Sequence, residues 1–286
     1  MRDSRETELM KAFICGFPAK HSRSPLIHNH WIEQRGLNAR YEIAEIPASD
    51  FPAFVSALRD GTSGYVGGNV TIPHKETAAK LADVADELVQ EIGAANTLWV
   101  EDGRVFATNT DILGFLANLD EGHPGWNDIP SAVVFGAGGG AKSVVQGLKT
   151  RGVGEIHVVN RTLDRALEVA DRFGESVHAH DMDALPEVLT GSRLFITTTS
   201  LGMKGGAVPD IPFANMAPGA IVNDLVYIPL ETPIISQAKA AGLRTVDGLG
   251  MLLHQAVFGF ERWFGIKPDV TADLRALVIA DMERAG

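Results

Sequence analysis

Four short polar clusters lie in the N-terminal third of the chain, each next to an apolar segment. Their side chains supply hydroxyls, amides, an ammonium and a carboxylate: Ser22, Ser24, Thr71, Lys75, Asn96, Asn109 and Asp111. Such a set suits a polyhydroxylated substrate in which one carbon is oxidised or reduced while a side chain moves a proton. Each residue alone also has a structural explanation, because Ser24 or Asp111 could cap a helix and Asn96 could belong to a turn.

Lys75 occupies an electrostatically unfavourable position in the predicted structure. It follows the stretch GNVTIPH, in which Pro73 suits the first position of a helix, and residues 74–88 are predicted to be helical. The positive end of the helix dipole disfavours a cation in the first turn by about 0.3–1 kcal/mol. A lysine retained there despite this cost indicates a chemical role.

The segment VVFGAGGGAKS combines an apolar strand, a glycine-rich turn and the start of a helix. Gly136, Gly138, Gly139 and Ala141 have the spacing of a turn in which a diphosphate approaches the backbone N–H groups at a helix start. An ordinary tight turn is the alternative interpretation of this string by itself. A second strand roughly 20 residues further on favours a dinucleotide-binding unit.

The end of that second strand indicates which nucleotide is bound. An NAD site usually offers an Asp or Glu there for the ribose hydroxyls, whereas this chain has Asn160, Arg161, Thr162 and Arg165. Arginine pairs with phosphate through a planar fork of donors, so the simplest interpretation is a 2′-phosphate and therefore NADP. The alternative is a solvated helix start in which Arg165 pairs with an acid such as Glu168.

Composition and charge narrow the class of protein. The chain has 286 residues, 45% of them hydrophobic, which is enough for two domains with real cores. Its 36 acidic and 25 basic residues give a formal charge of −11, which argues against nucleic-acid binding. The single cysteine, Cys15, excludes an intrachain disulfide. No segment approaches the roughly 20 apolar residues of a membrane helix, and no signal-peptide pattern is present. We therefore expect a cytoplasmic protein without membrane contact.

Histidines could in principle form a metal site, but their spacing argues against one. His28 and His30 do not face the same way on a helix. His178 and His180 would share one face of a strand, where their context is typical of the protein surface. No metal is expected.

Strands and helices alternate along most of the chain, which predicts an α/β fold. In the first third, segments such as KAFICGF and ARYEIAEI alternate with helical stretches and indicate a mostly parallel sheet. A second series begins near residue 112 and carries the glycine turn, as in a doubly wound, Rossmann-type domain. Two amphipathic segments near the C-terminus are predicted helices that return to the first domain. We expect residues 1–111 and 247–286 to form a substrate-binding catalytic domain, and residues 112–246 a dinucleotide-binding domain.

Nine strings along nearly the whole chain resemble the shikimate dehydrogenase family. They are HSRSPLIHN, GNVTIPHKE, GAANTL, NTDILGF, GAGGGAKSV, NRT, TTTSLGM, DLVYIPLETP and GLGMLLHQA. One string could arise by chance, whereas nine in the family's order could not. The resemblance implies a two-domain enzyme that reversibly reduces 3-dehydroshikimate to shikimate with NADPH, on the route to aromatic amino acids.

The resemblance also implies a role for each matching residue. The residues implied to bind substrate are Ser22, Ser24, Thr71, Asn96, Tyr227 and Gln255. The implied catalytic pair is Lys75, as proton donor, and Asp111, which would orient it. The residues implied to contact NADP are Gly136, Ala137, Gly138, Gly139, Gly140, Ala141, Asn160, Arg161, Thr162, Arg165, Gly248 and Met251. Helical geometry adds that Met251 and Gln255, four residues apart, share one face.

Two other interpretations remain open. A relative that uses quinate or aminoshikimate would share the fold, although Ser22, Ser24 and the basic turn at NRT resemble the shikimate and NADP enzymes more closely. A catalytically idle sensor of NADPH or a metabolite would not need both Lys75 and Asp111. The expected partner is a small-molecule substrate, and the chain is expected to be a monomer or a homodimer.

Overall fold

The structure is a computed structural model that describes residues 9–285. Its contacts divide the chain into two compact units, one formed by the residues up to Thr110 together with those from Gln255, the other by Asp111–His254. Each unit contains one six-stranded sheet. The predicted α/β class is confirmed.

The first unit is built on a mixed sheet. Its strands are β1 (Met10–Gly16), β2 (Ala39–Glu45), β3 (Gly67–Val70), β4 (Val84–Ala85), β5 (Thr97–Glu101) and β6 (Arg104–Thr108). Its helices are α1 (Ser24–Gln34), α2 (Phe51–Arg59), α3 (Lys75–Leu81) and α4 (Glu87–Ile92). The strand order is β2-β1-β3-β5-β6-β4, and β5 runs antiparallel to both of its neighbours while the other pairs are parallel. The sheet is therefore mostly parallel, as predicted, with one reversed strand.

The sequence analysis missed the β5–β6 hairpin that reverses the chain. Asp102 and Gly103 both have positive φ, 51° and 70°, as a two-residue type I′ turn requires. An Asp-Gly pair between LWVE and RVFA was the available signal. Because β5 is reversed, its first residue, Thr97, pairs with Asn69 of β3 and Thr108 of β6 and lies at the edge where those strands end.

The helix predicted over residues 74–88 is wrong in extent. A short strand, β4, interrupts it, and α4 begins anew because the Asp86 side chain caps its N-terminus. Pro73 does not open the helix, because it precedes the N-cap residue, His74. The prediction that Lys75 lies in the first turn of a helix is confirmed.

The second unit is doubly wound. Its strands are β7 (Ser131–Phe135), β8 (Glu155–Val159), β9 (Val177–His180), β10 (Leu194–Thr197), β11 (Ile221–Asp224) and β12 (Arg244–Val246). The chain enters it through α5 (Thr110–Gly122), and its helices include α6 (Gly139–Thr150), α7 (Leu163–Phe173), α8 (Leu185–Val188) and α9 (Pro233–Ala240). All its strand pairs are parallel, in the order β12-β11-β10-β7-β8-β9. This is the strand order of a Rossmann-type dinucleotide fold.

The two predicted C-terminal helices are present as α10 (Leu249–Phe264) and α11 (Ala272–Ala285). Within the first unit, Trp263 Nε1 donates a hydrogen bond to Leu98 O at 2.9 Å, and Trp31 Nε1 donates to Asp269 O at 3.1 Å. Both indoles are buried, so these bonds satisfy their polar atoms in the core. Among residues 9–285, no helix has the length and apolar character needed to cross a membrane.

Candidate functional site

The polar clusters of the first unit meet at one edge of its sheet. The carboxyl ends of β1, β3 and β6 lie at this edge together with the amino end of the reversed β5. The predicted site residues next to these strand ends are Ser22, Ser24, Thr71, Lys75, Asn96 and Asn109. Ligands of open α/β sheets bind outside the carboxyl ends of the strands, so this edge is a candidate substrate site.

Ser22 and Ser24 are directly coupled. The Ser22 hydroxyl donates to Ser24 Oγ at 3.2 Å and accepts from Ser24 N at 3.2 Å. Ser24 is the first residue of α1, whose N-terminus has no side-chain cap, so the capping explanation does not hold. Between the two serines, Arg23 Nε lies 3.1 Å from Asp281 Oδ2, which fastens this loop to α11.

Asn96 is buried, and its side-chain oxygen is surrounded by donors. Asn96 Oδ1 accepts hydrogen bonds from Thr97 Oγ1 at 3.0 Å, Thr110 N at 2.7 Å and Thr110 Oγ1 at 3.1 Å. Three donors at one oxygen fix the orientation of the amide, so Nδ2 points away from both threonines. An asparagine whose only role is to form a turn would not need three donors at its side-chain oxygen.

Two buried residues that the sequence analysis did not single out join this network. Tyr41 Oη donates to Asn69 Oδ1 at 2.7 Å, and Asn69 Nδ2 donates to Thr97 Oγ1 at 3.0 Å. Burial raises the pKa of Tyr41, and its hydrogen bonds to Asn69 and Ser24 offset only part of this effect, so its hydroxyl keeps its proton. A polar Asn69 within a fully buried strand was the signal available in the sequence.

The turn that carries Lys75 is held from two sides. Lys75 O accepts a hydrogen bond from Ala95 N at 2.9 Å. The preceding residue, His74, is buried, stacks on Phe51 at 4.3 Å and places Nε2 2.7 Å from Ile46 O. These contacts fix the backbone from which the partly buried Lys75 side chain extends.

In the glycine turn of the second unit, one glycine leaves no room for a side chain, whereas two others do. Gly136 has φ +111°, and a Cβ there would lie 2.7 Å from Thr199 Cγ2 and 2.8 Å from Thr198 Oγ1. A Cβ at Gly138 or Gly139 would meet nothing within 4 Å. No side chain caps the N-terminus of α6, so its first N–H groups face this space. The turn therefore fits the diphosphate of a dinucleotide.

Asn160 links the glycine turn to the turn after β8. Asn160 Oδ1 accepts from Ala137 N at 3.2 Å, and Asn160 Nδ2 donates to Thr162 O at 2.8 Å. Arg161 and Arg165 are both exposed next to this link. Their guanidinium groups are accessible to an anion bound at this edge of the sheet.

Gly248, at the start of α10, is required by packing. A side chain there would collide with Leu225 O and lie 2.9 Å from Asp224 O, at the end of β11. Asp224 is itself buried and accepts a hydrogen bond from Thr232 Oγ1 at 2.5 Å, and burial raises its pKa to about 6. These contacts order the loop that carries the partly buried Tyr227.

Three further predicted site residues lie on helices. Asp111 is in the first turn of α5, inside the helix and not before it, where the dipole favours a carboxylate. Met251 and Gln255 lie one turn apart on α10. All three are partly buried.

A histidine cluster lies on β8 and β9. His157 Nδ1 is 3.0 Å from His180 Nε2, and the rings of His157 and His178 are 5.3 Å apart. Burial and the neighbouring histidines lower the pKa of His157 and of His180. In the described part of the chain, no three His, Cys, Asp or Glu side chains are arranged to hold a metal ion.

Comparisons with known proteins cover both units. Three family models match: the shikimate dehydrogenase substrate binding domain over residues 14–98, shikimate / quinate 5-dehydrogenase over residues 127–203, and the shikimate 5′-dehydrogenase C-terminal domain over residues 248–278. A shikimate dehydrogenase (NADP⁺) of Rhizobium rhizogenes is 58% identical over 284 residues, which is 99% of each chain.

Solved structures of similar proteins have the same fold. A shikimate 5-dehydrogenase of Thermus thermophilus in complex with NADP(H) and shikimate is 33% identical, with a TM-score of 0.81 over 96% of this chain and 99% of that one. A quinate dehydrogenase of Corynebacterium glutamicum in complex with NAD is 28% identical, with a TM-score of 0.86 over 95% and 99%. Likeness in fold therefore does not separate the two substrates.

Proposed function

This chain belongs to the shikimate dehydrogenase family, and we propose that it catalyses the reversible, NADP-dependent reduction of 3-dehydroshikimate to shikimate. The observation that carries the proposal is a polar sheet edge with serine, lysine and asparagine side chains in a chain that also has a dinucleotide turn. Identity of 58% over nearly the full length to an enzyme named for shikimate and NADP⁺ favours this substrate over quinate.

We propose that NADP binds at the glycine turn. The N–H groups at the start of α6 would bind its diphosphate. The adenosine 2′-phosphate would be bound by the residues that follow β8, namely Asn160, Arg161, Thr162 and Arg165. When bound, NADPH supplies the hydride for the reduction. Gly248 and Met251 are proposed to flank the nicotinamide. The open space around Gly138 and Gly139 supports the diphosphate assignment.

The substrate is proposed to bind at the polar edge of the first sheet. The paired hydroxyls of Ser22 and Ser24 would donate to its carboxylate, and Tyr227 is proposed as a further contact of that carboxylate. The ring hydroxyls would bond to Thr71, Asn96 and Gln255. Because donors surround Asn96 Oδ1, its Nδ2 is the atom that would bond the substrate.

Lys75 is proposed to carry the proton. As hydride reaches the C3 carbonyl carbon of 3-dehydroshikimate, its oxygen becomes an alkoxide, to which the Lys75 ammonium gives a proton. In the reverse direction the amine accepts that proton from the C3 hydroxyl. Asp111 is proposed to orient Lys75 and the hydroxyl.

Three further assignments, on domains, cellular location and oligomeric state, accompany this proposal. Residues 1–111 and 247–286 are proposed to act as the substrate-binding domain, and residues 112–246 as the NADP-binding domain. We place the enzyme in the cytoplasm, a reducing compartment, since its single cysteine, Cys15, is a free and buried thiol. A monomer or a homodimer is expected, which light scattering of the purified protein would distinguish.

A steady-state assay tests the proposed activity. The purified chain is mixed with shikimate or quinate, each with NADP⁺ or NAD⁺, and the reduced nicotinamide is followed by its absorbance. We expect the highest kcat/KM with shikimate and NADP⁺. Higher kcat/KM with quinate and NAD⁺ would overturn the substrate assignment, and no turnover with any pairing would overturn the enzyme assignment.

A further inference from the structure

Thr97, the first residue of β5, has a fully buried hydroxyl in contact with three polar side chains. Its Oγ1 donates to Asn96 Oδ1 at 3.0 Å and accepts from Asn69 Nδ2 at 3.0 Å. The Thr110 hydroxyl lies 3.1 Å away. Thr97 therefore joins polar residues from the ends of β3 and β6 to the start of β5.

The hydrogen-bonding capacity of this hydroxyl matches its surroundings. A threonine hydroxyl has one proton and two acceptor lone pairs. The proton goes to Asn96 Oδ1 and one lone pair takes the Asn69 amide proton. The second lone pair lies next to the Thr110 hydroxyl, whose single proton is directed at either Thr97 Oγ1 or Asn96 Oδ1. A valine of the same shape would supply none of these bonds.

We propose that Thr97 is a positioning residue for the reaction. It holds the Asn96 amide with Oδ1 turned towards Thr110, so that Nδ2 is directed at the substrate hydroxyls. It also anchors Thr110, the residue before Asp111 in the chain. This inference rests on the proposed function, because Asn96 and Asp111 have their roles only in that reaction.

A structural role alone would have a different signature. Without the Thr97 hydroxyl, Asn69 Nδ2 still has Asn96 O at 3.3 Å, and Asn96 Oδ1 still has Thr110 N at 2.7 Å. The buried polar atoms thus keep partners and the fold persists. The variant loses the hydrogen bond from Thr97 Oγ1 that helps to orient the Asn96 amide. Substrate binding and turnover should therefore change more than the free energy of unfolding.

The test compares Thr97→Val, which removes the hydroxyl but keeps the shape, with Thr97→Ser, which keeps the hydroxyl. We expect Thr97→Val to lower kcat/KM for shikimate by about 10-fold, the effect of losing one buried hydrogen bond, with the KM for NADP⁺ unchanged. Thr97→Ser should stay within about 3-fold of the wild type. Thr97→Ala is measured in parallel, so that poor folding of one variant does not decide the result.

Each outcome has a defined meaning. Wild-type kcat/KM in Thr97→Val overturns the positioning role, and so does a Thr97→Ser variant as impaired as Thr97→Val. Equal losses for shikimate and NADP⁺, together with a lowered melting temperature, identify a structural residue instead. A wild-type protein inactive towards shikimate overturns the proposed function itself, and the positioning role with it.

Discussion

Lys75 shows how a single side chain can conflict with its local structure. It is the first residue of α3, where the helix dipole disfavours a cation, and the next residue, Glu76, obeys the usual preference. Its backbone is held by Ala95 N, and its neighbour His74 is fixed in the core. This well-ordered position supports the proposal that Lys75 transfers a proton to and from a substrate oxygen.

Replacing Lys75 by alanine tests this role. We expect Lys75→Ala to lower kcat for shikimate oxidation by roughly 10²–10⁴-fold, because the C3 hydroxyl loses the amine that accepts its proton, with much less change in the KM for shikimate. Steady-state kinetics at saturating NADP⁺ measure both constants. An unchanged kcat with a raised KM would make Lys75 a binding residue.

Lys80 provides the matched control for that variant. It lies in the last turn of the same helix, is exposed, and is favoured there by the dipole. Lys80→Ala removes one positive charge from α3, as Lys75→Ala does, and should leave kcat within about 2-fold of the wild type. Similar losses in both variants would point to net charge as the cause and would count against proton donation.

The glycines in the turn of the strand–turn–helix element β7–α6 have different roles. Gly136 is needed by the fold, because its φ is positive and Thr198 and Thr199 fill the space where a side chain would go. Gly138 has φ −86° and open space around it, so an alanine there meets no protein atom. Packing therefore does not require a glycine at the exposed position 138, and the proposed diphosphate site supplies a reason for one.

Alanine at these two glycines should therefore separate folding from binding. We expect Gly138→Ala to melt at the wild-type temperature without NADP and to bind NADP at least about 5-fold more weakly, since overpacking costs about 1–3 kcal/mol. Gly136→Ala should lower the free energy of unfolding by at least about 1–2 kcal/mol. Thermal melts and NADP titration measure both effects. Unchanged NADP affinity in Gly138→Ala would contradict the diphosphate assignment.

The turn between β8 and α7, together with the first turn of α7, is expected to decide between the two nicotinamide nucleotides. Replacing both Arg161 and Arg165 by alanine should raise the Kd for NADP by roughly 10-fold or more, because each charge-assisted hydrogen bond to the 2′-phosphate contributes about 1.5–3 kcal/mol. The Kd for NAD should change little, since NAD lacks that phosphate. Isothermal titration with both nucleotides measures the difference. Arg172→Ala, in the last turn of α7, is the control and should bind both as the wild type does.

At the scale of the whole molecule, a buried histidine links stability to pH. His28 is fully buried, stacks on Tyr41 at 4.1 Å and has aromatic neighbours from α1 and α10. Among residues 9–285, no atom is a hydrogen-bond partner of good geometry for either ring nitrogen. Burial lowers the pKa of His28 from 6.5 to about 3, and the nearby Asn69 side chain offsets only part of this effect.

The pH dependence follows from that shift. Because the folded pKa lies below the unfolded one, His28 supports folding most above pH 6.5, and its support falls as the pH drops towards 3. Lowering the pH from 7 to 5 should therefore reduce the free energy of unfolding by about 2 kcal/mol through His28. Urea unfolding followed by tryptophan fluorescence measures this, since Trp31 and Trp263 pack beside the ring.

A matched variant isolates this effect from other titrating groups. His28→Phe keeps an aromatic ring in the same space and removes the titrating nitrogens. We expect the difference in unfolding free energy between pH 7 and pH 5 to be smaller in His28→Phe than in the wild type by about 2 kcal/mol. The same pH dependence in both proteins would show that His28 is not the group responsible.

Much of the molecule is legible in its sequence, because local patterns carry local structure. Apolar patterns in the sequence predicted β1, β2 and the C-terminal helices α10 and α11. The glycine turn and the basic residues after the next strand indicated NADP. The residues predicted to form the site also directly follow or precede predicted strands along the chain. Side-chain types, chain direction and helix period are all properties of short segments, so the sequence by itself determined the fold class and the candidate residues.

Other features depend on contacts between segments distant in the chain. The Asp102–Gly103 pair was a local signal for the β5–β6 hairpin, but only the tertiary structure revealed that β5 pairs with β3, which brings Asn96 and Thr97 to the edge where β3 ends. It likewise revealed the hydrogen bonds that tie Asn69, Thr97 and Thr110 into one network. A buried hydroxyl or amide has no periodic signature, since its role is set by which donors and acceptors the fold places around it. Sheet order and the partners of buried polar atoms are therefore decided in three dimensions.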